Sequence, residues 1–569
     1  MRRRVFLSGL FLTGVGLPVL AGCKLPWQSK GQAGSTSASA SADKSSGTAV
    51  PAASGAPQGW QELDAHVMGH HLGIQVSPLV RRDEKTTVLV LKLTRAKDDP
   101  AVKDIADASG DGSNTFEASL PLSRPGLLRR SDWGANGVRL LDLSTNRVWV
   151  ATASVENKVK DNYNNLPLKP GASTSCFVLF GAVDAKEVTV FVPQAGFVTV
   201  NVLDSSAAAA SGIDFKAIDK AFDSVANPDY EAEPDQALAA PVPIERYTRA
   251  LDDSTSTHAG GKDITVTLAS DVTFASDSAD LASGAEAQLQ TVAGQLAQYP
   301  DGGTLSIVGH TDDVQDDAYN QTLSEKRANA VKTRLEQLTK LDTWQTSVSG
   351  KGESEPKIKD TSDEARAANR RVEITLTPTG GTTPKGSSST ATPSTSGGGK
   401  LPDPQGPVAK GPEGVTLSPK SGDTSGEVTI TLDHVARSGG YLLGTVTCTV
   451  KDGSTGAQLH PLLQDPQTAL SNQRDEDGSA VQTLLASDGL TLISNGERIF
   501  PADYLDAYNK QHLPLTELNL YDHLKGGTTT VCVVWPDPGG DTTTLDHPKG
   551  KYSPPDTAYR LTNIPIKNS

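Results

Sequence analysis

Three stretches of this 569-residue chain carry too little apolar side chain to fold, and they dictate how the rest can be organised. Residues 24–59 are rich in Ser, Ala, Gly and Thr. Residues 205–255 turn acidic and polar, with room for one short helix. Residues 379–411 are Thr, Ser, Gly, Pro and Lys without an apolar run. Such stretches cannot bury enough surface to offset the entropy of ordering, so they read as a disordered tether and two linkers. Between them lie blocks with regular hydrophobic periods: residues 60–204, 256–378 and 412–569. A chain of this length exceeds one hydrophobic core in any case.

The outer blocks are β in pattern. Thr87-Val88-Leu89-Val90-Leu91-Lys92-Leu93, Cys176-Phe177-Val178-Leu179-Phe180 and Val188-Thr189-Val190-Phe191-Val192 are short apolar or alternating runs, punctuated by Pro, Gly and Asn. Short strands of this kind at regular spacing predict a sandwich. The two blocks also share an order of elements. Leu140-Leu141-Asp142-Leu143, Arg147-Val148-Trp149 and Cys176-Phe177-Val178 precede two closing strands. So do Leu490-Thr491-Leu492-Ile493, Arg498-Ile499-Phe500 and Val531-Cys532-Val533. Identity is weak, so duplication of one module and a pattern common to sandwiches stand as equal readings.

The middle block mixes periods. Ile264, Val266 and Leu268 alternate as on a strand. Leu281, Ala285, Leu289, Val292 and Leu296 recur at helical spacing up to Pro300. Leu305 and Ile307 lie on a strand ending at Gly309-His310-Thr311-Asp312. Thr322 and Glu325 match a capping box that would open a helix through Val331, Leu335 and Leu338. Val372, Ile374 and Leu376 alternate on a last strand, with a short extra strand near Ser347-Val348. The order is β-α-β-α-β, with helices on one face of a mixed sheet. The expected fold class is therefore multidomain: a central α+β unit flanked by two mainly-β, sandwich-like domains and joined by disordered linkers.

The first residues set the compartment. Arg2, Arg3 and Arg4 precede an apolar run from Val5 to Leu20, and small residues follow, as in a secretory signal over residues 1–22. Leu20-Ala21-Gly22-Cys23 resembles the lipobox of bacterial lipoproteins, which implies a diacylglycerol on Cys23 and a membrane anchor there. Arg3-Arg4-Val5-Phe6-Leu7 resembles a twin-arginine export motif, although a general secretory signal with extra arginines looks similar. The Arg-rich start and the Gly, Ala and Thr content resemble actinobacterial lipoproteins. No internal run is apolar and long enough to span a membrane. The formal charge of −15 disfavours nucleic acid as a partner. Outside the cell disulfides persist, and Cys448 and Cys532, both in strand-like runs, are the expected pair. Cys176 then reads as a buried thiol.

Five motifs of the middle block occur together and in order. They are Phe274 to Leu281; Gly309-His310-Thr311-Asp312; Tyr319-Asn320 with Leu323-Ser324 and Arg327-Ala328; Gly350-Lys351-Gly352-Glu353; and Asn369-Arg370-Arg371-Val372-Glu373-Ile374. Over roughly a fifth of the chain, residues 256–378 resemble the OmpA C-terminal domain, the peptidoglycan-associated module. The resemblance implies peptidoglycan as partner, with Asp312 and Arg327 taking the ammonium and carboxylate of a diaminopimelate head. Arg supplies a planar two-pronged grip for a carboxylate, and a helix N-terminus adds unpaired amides. Thr311, Asn320, Leu323 and Arg371 are expected to line the same region. The alternative for Asp312 and Arg327 is a salt bridge that only pins loop to helix. One departure stands out: Gln315 occupies a position that is usually Gly in the family, in the acidic run Asp312-Asp313-Val314-Gln315-Asp316-Asp317.

Other chemistry has weaker support. The acidic run lacks the spacing of an EF-hand loop. His66 and His70 would share a helix face, but Gly73-Ile74-Gln75-Val76 reads as a strand start, so no metal site is assigned. No Gly-x-Ser-x-Gly elbow, His-Glu-x-x-His or P-loop occurs, so no catalytic residue or cofactor is expected. The expected function is a lipid-anchored, extracytoplasmic protein that grips the cell wall without cutting it. The alternatives use the β domains, to scaffold another envelope protein or to remodel the wall enzymatically.

Overall fold

The computed structural model describes residues 59–101, 114–123, 134–151, 153–156, 166–225, 240–275, 277–383, 400–421, 424–451, 459–464, 486–506, 512–520, 526–549 and 556–568. The expectations for the signal peptide, for Cys23 and for most of the first tether lie outside these residues. Among them, no helix is long and apolar enough to cross a membrane.

The first β block contains β1 (Gln61–Val67), β2 (His70–Val76), β3 (Leu79–Arg81), β4 (Thr87–Arg95), β5 (Arg139–Asp142), β6 (Arg147–Val150), β7 (Ser173–Phe180), β8 (Glu187–Val192), β9 (Gly196–Leu203) and β10 (Val242–Pro243). They run in the order β1-β2-β4-β3-β9-β8-β5-β6-β10, with β7 on the other edge of β4. β4 has neighbours on both edges, and its first five residues are buried without alternation, which explains its near-continuous apolar run.

The central unit follows with β11 (Arg246–Ala250), β12 (Thr255–Ala259), β13 (Ile264–Ala269), β14 (Gly303–Gly309), β15 (Trp344–Gly350) and β16 (Arg371–Pro378). The last block adds β17 (Val415–Leu417), β18 (Val428–Thr431), β19 (Val435–Ser438), β20 (Tyr441–Val450), β21 (Thr491–Ser494), β22 (Glu497–Ile499), β23 (Asp503–Leu505), β24 (His512–Pro514), β25 (Gly527–Pro536), β26 (Thr542–His547) and β27 (Tyr559–Asn568).

The strand order β17-β18-β20-β19-β27-β26-β21-β22-β11, with β25 beside β20, follows the same path as the first block. One parallel pair corresponds in each: β9 beside β3 and β27 beside β19. The repeated path agrees with duplication of one module and equally with an architecture common to sandwiches. The copies do not stand apart. One buried cluster runs through both, from Leu72 and Leu91 to Ile430 and Val533. Backbone amides cross between them: Gly69 donates to Thr528 O (3.0 Å), and Gln194 donates to Glu517 Oε1 (2.9 Å).

The described parts of residues 205–255 are packed against the β copies. Helix α1 (Phe215–Val225) fits the one short helix expected there, and Ile218 and Ala221 pack with Val80 and Val88. Further on, β10 closes the edge of the first copy and β11 closes that of the second. The ends of the 379–411 stretch are also fastened. Thr382 O accepts from Arg246 and Tyr299, and Val408–Lys410 pairs with β27.

The disulfide expectation is corrected. Cys448 and Cys532 lie on neighbouring strands, but Cys448 faces Thr529 and Cys532 faces Thr445. An offset of three residues puts their side chains on opposite faces of the sheet, roughly 10 Å apart along the strand. Both are free thiols and buried, and Cys176 is buried too. Burial pushes the Cys448 thiol up to about 12.

In the central unit the sheet order is β15-β14-β16-β13-β12-β11. β14 and β15 are parallel, and β16 is antiparallel to both β14 and β13. β15 is the extra strand expected near Ser347-Val348. Buried and half-buried residues alternate on β13, β14 and β16, so one face alone is fully covered. Helices α2 (Ala285–Ala297) and α3 (Asp317–Leu338) cover it with Leu289, Val292, Val331 and Leu335. Each such side chain contributes about 1.5–3 kcal/mol on burial. A shorter helix, α4 (Asp363–Asn369), precedes β16.

The start of α3 differs from expectation. Asp316 is its N-cap and accepts from Tyr319 N at 2.9 Å, and Asp317 places negative charge in the first turn. Thr322 lies inside the helix, its hydroxyl bonded back to Ala318 O. The aspartates that read as loop are the cap.

Candidate functional site

The site forms where β14 and β15 end beneath α3. Gly309 and Gly350 close these two strands, and a Cβ on either would run into Ser324 of the helix. Only glycine lets the helix backbone come this close. Beyond β14, Thr311 N donates to Gly352 O (2.9 Å), and Gly352 holds a left-handed φ of 52°. Asn320, 1% exposed, latches the loop. Its Nδ2 lies 3.2 Å from Asp312 O, 3.0 Å from Gln315 O and 2.6 Å from Glu353 Oε2. Gln315 is not among the residues with positive φ, so this turn needs no glycine there.

Asp312 and Arg327 do not form an ion pair with each other. Asp312 Oδ2 accepts from Arg370 Nη1 at 2.7 Å, and its side chain is only 14% exposed. Arg370 grips Asp271 with its other face, Nε to Oδ1 at 2.8 Å and Nη2 to Oδ2 at 2.7 Å. Hydrogen bonding from Arg370 holds the Asp271 carboxyl below the usual range.

Arg327 is 5% exposed and stacks over Phe274, 5.2 Å from guanidinium to ring centre. Its Nε donates to Ser278 O at 3.0 Å. Among the described residues its two Nη atoms have no hydrogen-bond partner. Burial lowers its pKa, against the attraction of Asp271, Asp277 and Asp312. A desolvated guanidinium with two open donors is a site for an anion.

The helix terminus is too far away to help. Arg327 is ten residues into α3, about 15 Å along the axis from its first turn, so those amides do not reach the same anion. A cleft of about 220 Å³ opens beside Asp312, lined by Thr311, Asp312, Glu353, Ile358, Lys359 and Asn369.

The remaining expected residues divide by role. Thr311 is buried with its hydroxyl unpartnered. Leu323 is half-buried, one turn before Arg327. Arg371 does not face a ligand: Nε binds Glu373 (2.7 Å), Nη1 binds Asn369 O and Nη2 binds Glu355 O (both 3.2 Å). Its neighbour Arg370 reaches Asp312 instead.

Sequence reasoning assigned no role to Asp271, Phe274 or His310. His310 is 2% exposed with neither ring nitrogen hydrogen-bonded, and burial pushes its pKa down to about 4. The acidic loop is also engaged: Asp313 pairs with Arg366 at 2.7 Å, and Asp316 caps α3. The N-terminal histidines sit on strands, with His66 stacked on its cross-strand partner His71 and His70 bound to Asp99 at 2.7 Å.

Residues 273–370 match the model of the OmpA family. Outer membrane porin F of Pseudomonas aeruginosa is 41% identical over 103 residues, 18% of this chain and 29% of the relative. The probable lipoprotein YiaD of Escherichia coli is 34% identical over 119 residues, 21% of this chain and 53% of the relative. The chain thus spans from under a third to about half of the length of these curated relatives. Among solved structures, the cell wall anchor of the T6SS from Pseudomonas aeruginosa is 28% identical, with a TM-score of 0.20. That alignment covers 22% of this chain and 90% of that one.

Proposed function

With residues 273–370 as an OmpA-family domain, we propose that the chain binds peptidoglycan non-covalently and ties the wall to a membrane through a lipid on Cys23. The observation that carries this reading is Arg327. It is a buried guanidinium whose two Nη atoms are open, flanked by Asp271, Arg370 and Asp312. A zwitterionic diaminopimelate head fits this array: its carboxylate binds the two Nη atoms and its ammonium meets the Asp312–Asp271 carboxylates. Phe274 and Ser278 fix the plane of the guanidinium, which limits the rotamer entropy lost on binding. Proteins with similar domains carry names that speak of an outer membrane and a lipoprotein, in accord with an envelope location. The action is binding without cleavage.

The test is co-sedimentation of the full chain with purified peptidoglycan. Arg327→Ala and Asp312→Ala are expected to abolish or strongly reduce retention. Walls amidated on the diaminopimelate carboxylate are expected to retain less of the native chain. Unchanged retention of Arg327→Ala would sink the zwitterion mechanism.

A further inference from the structure

Strand register gathers four metal-binding side chains at the seam between the central unit and the second β copy. Glu245 and Asp503 form an antiparallel bridge, with Glu245 N donating to Asp503 O (2.8 Å) and Asp503 N to Glu245 O (3.1 Å). Residues directly opposite in such a bridge point to the same face. His512 pairs with Leu505, two residues on from Asp503, so it joins that face. His258 pairs with Tyr247, two residues on from Glu245, and joins it from the other side.

The side chains converge as the register requires. One donor atom each from Glu245, Asp503 and His512 lies within 4.8 Å of the others. His512 Nε2 is 2.9 Å and His258 Nε2 is 2.7 Å from the same oxygen, Glu245 Oε2. The two imidazole planes stand at 88°. Glu245, Asp503 and His512 are 9%, 1% and 8% exposed, while the His258 side chain is 39% exposed, which leaves a path from solvent.

We propose that Glu245, Asp503, His512 and His258 bind one divalent transition-metal cation, with zinc as the ion that best suits the set. Two imidazoles and two carboxylates are the mixed nitrogen and oxygen donors that zinc takes tetrahedrally. Two buried carboxylates this close repel each other, and a dication balances both. Zinc–ligand bonds of about 2.0–2.2 Å set donor-to-donor edges near 3.3 Å. The two imidazole contacts to Glu245 would therefore open by about half an ångström as the ion enters, while Asp503 and His258 draw in towards it. The ligands come from β12, from the segment joining β10 to β11, and from the β23–β24 hairpin. The ion would cross-link the wall-binding unit to the second β copy.

The experiment uses the full chain in detergent, stripped with a chelator and titrated with Zn²⁺ alone by calorimetry, with metal content counted by mass spectrometry. One tightly bound Zn²⁺ per chain is expected, with a rise in Tm on its addition. His258→Gln, at a half-exposed position that leaves the fold intact, should weaken binding by about tenfold or more. His258→Cys should restore it, and Co²⁺ in that variant should show a thiolate charge-transfer band. Glu245→Gln should remove the Tm response. Absence of stoichiometric Zn²⁺ overturns the proposal. So does Zn²⁺ affinity that His258→Gln leaves unchanged, which would place the ion elsewhere, for example at His66 and His71.

Discussion

Arg370 Nη1 lies 2.7 Å from Asp312 Oδ2, and the same guanidinium clasps Asp271 through two further bonds. The carboxylate that the family motif singles out is thus oriented by an arginine from the far end of the domain. Arg370→Ala is expected to lower retention on peptidoglycan by about tenfold, the scale of one charged hydrogen bond. Because Arg370 is part-exposed, Tm should change little. Co-sedimentation and thermal melting of the full chain check both halves.

Its neighbour should behave in the opposite way. Arg371 is 5% exposed and spends its guanidinium on Glu373, Asn369 O and Glu355 O. Arg371→Ala strands these partners and should cost about 3 kcal/mol of stability, read as a lower urea midpoint.

His310 gives a pH signature. Its folded pKa of about 4 lies below the ordinary 6.5, so between these values the unfolded chain holds a proton that the folded chain lacks. Stability therefore falls as pH drops from 6.5 towards 4, by up to about 3 kcal/mol from this group. His310→Phe fills the site without a proton-binding ring and should lose less stability between pH 7 and 5 than the native chain does. Equal losses in urea titrations at the two pH values would refute the assignment.

The thiols offer a covalent check. Cys176, Cys448 and Cys532 should all resist a thiol reagent in the native chain and all react after denaturation without reductant. A mass two hydrogens lighter, with two of these thiols unreactive, would restore the bridge that strand register rules out.

The packing of helix on strand is testable at one atom. Gly309→Ala drives a methyl into the backbone carbonyl of Ser324 in α3, which cannot swing aside as a side chain would. Overpacking of this kind should cost about 3 kcal/mol, measured by chemical denaturation.

Local periodicity made most of the central unit legible. β13, β14, β16 and even β15 follow from alternation, and α2 from apolar spacing. The start of α3 was not, because Asp316 serves as a cap only when a helix follows, and four nearby aspartates look like loop. For the candidate site, the motif pointed to Asp312 and Arg327. The motif could not tell Arg370 from Arg371. Adjacent residues entering a strand face opposite ways, and which one meets Asp312 depends on β16 pairing with β14. The shared core of the β copies and the tying down of residues 205–255 depend on long-range pairing that no local period encodes.

That pairing also sets a path for mechanical load. β12 and β11 are joined by a tight turn at Leu251–Ser254, and β11 is hydrogen-bonded to β22 of the second copy. A pull on the Arg327 site is therefore passed through rungs of backbone hydrogen bonds into the second copy. No slack chain lies at that joint to absorb it, so the grip and the β body would move as one stiff lever, and compliance would have to come from elsewhere in the chain.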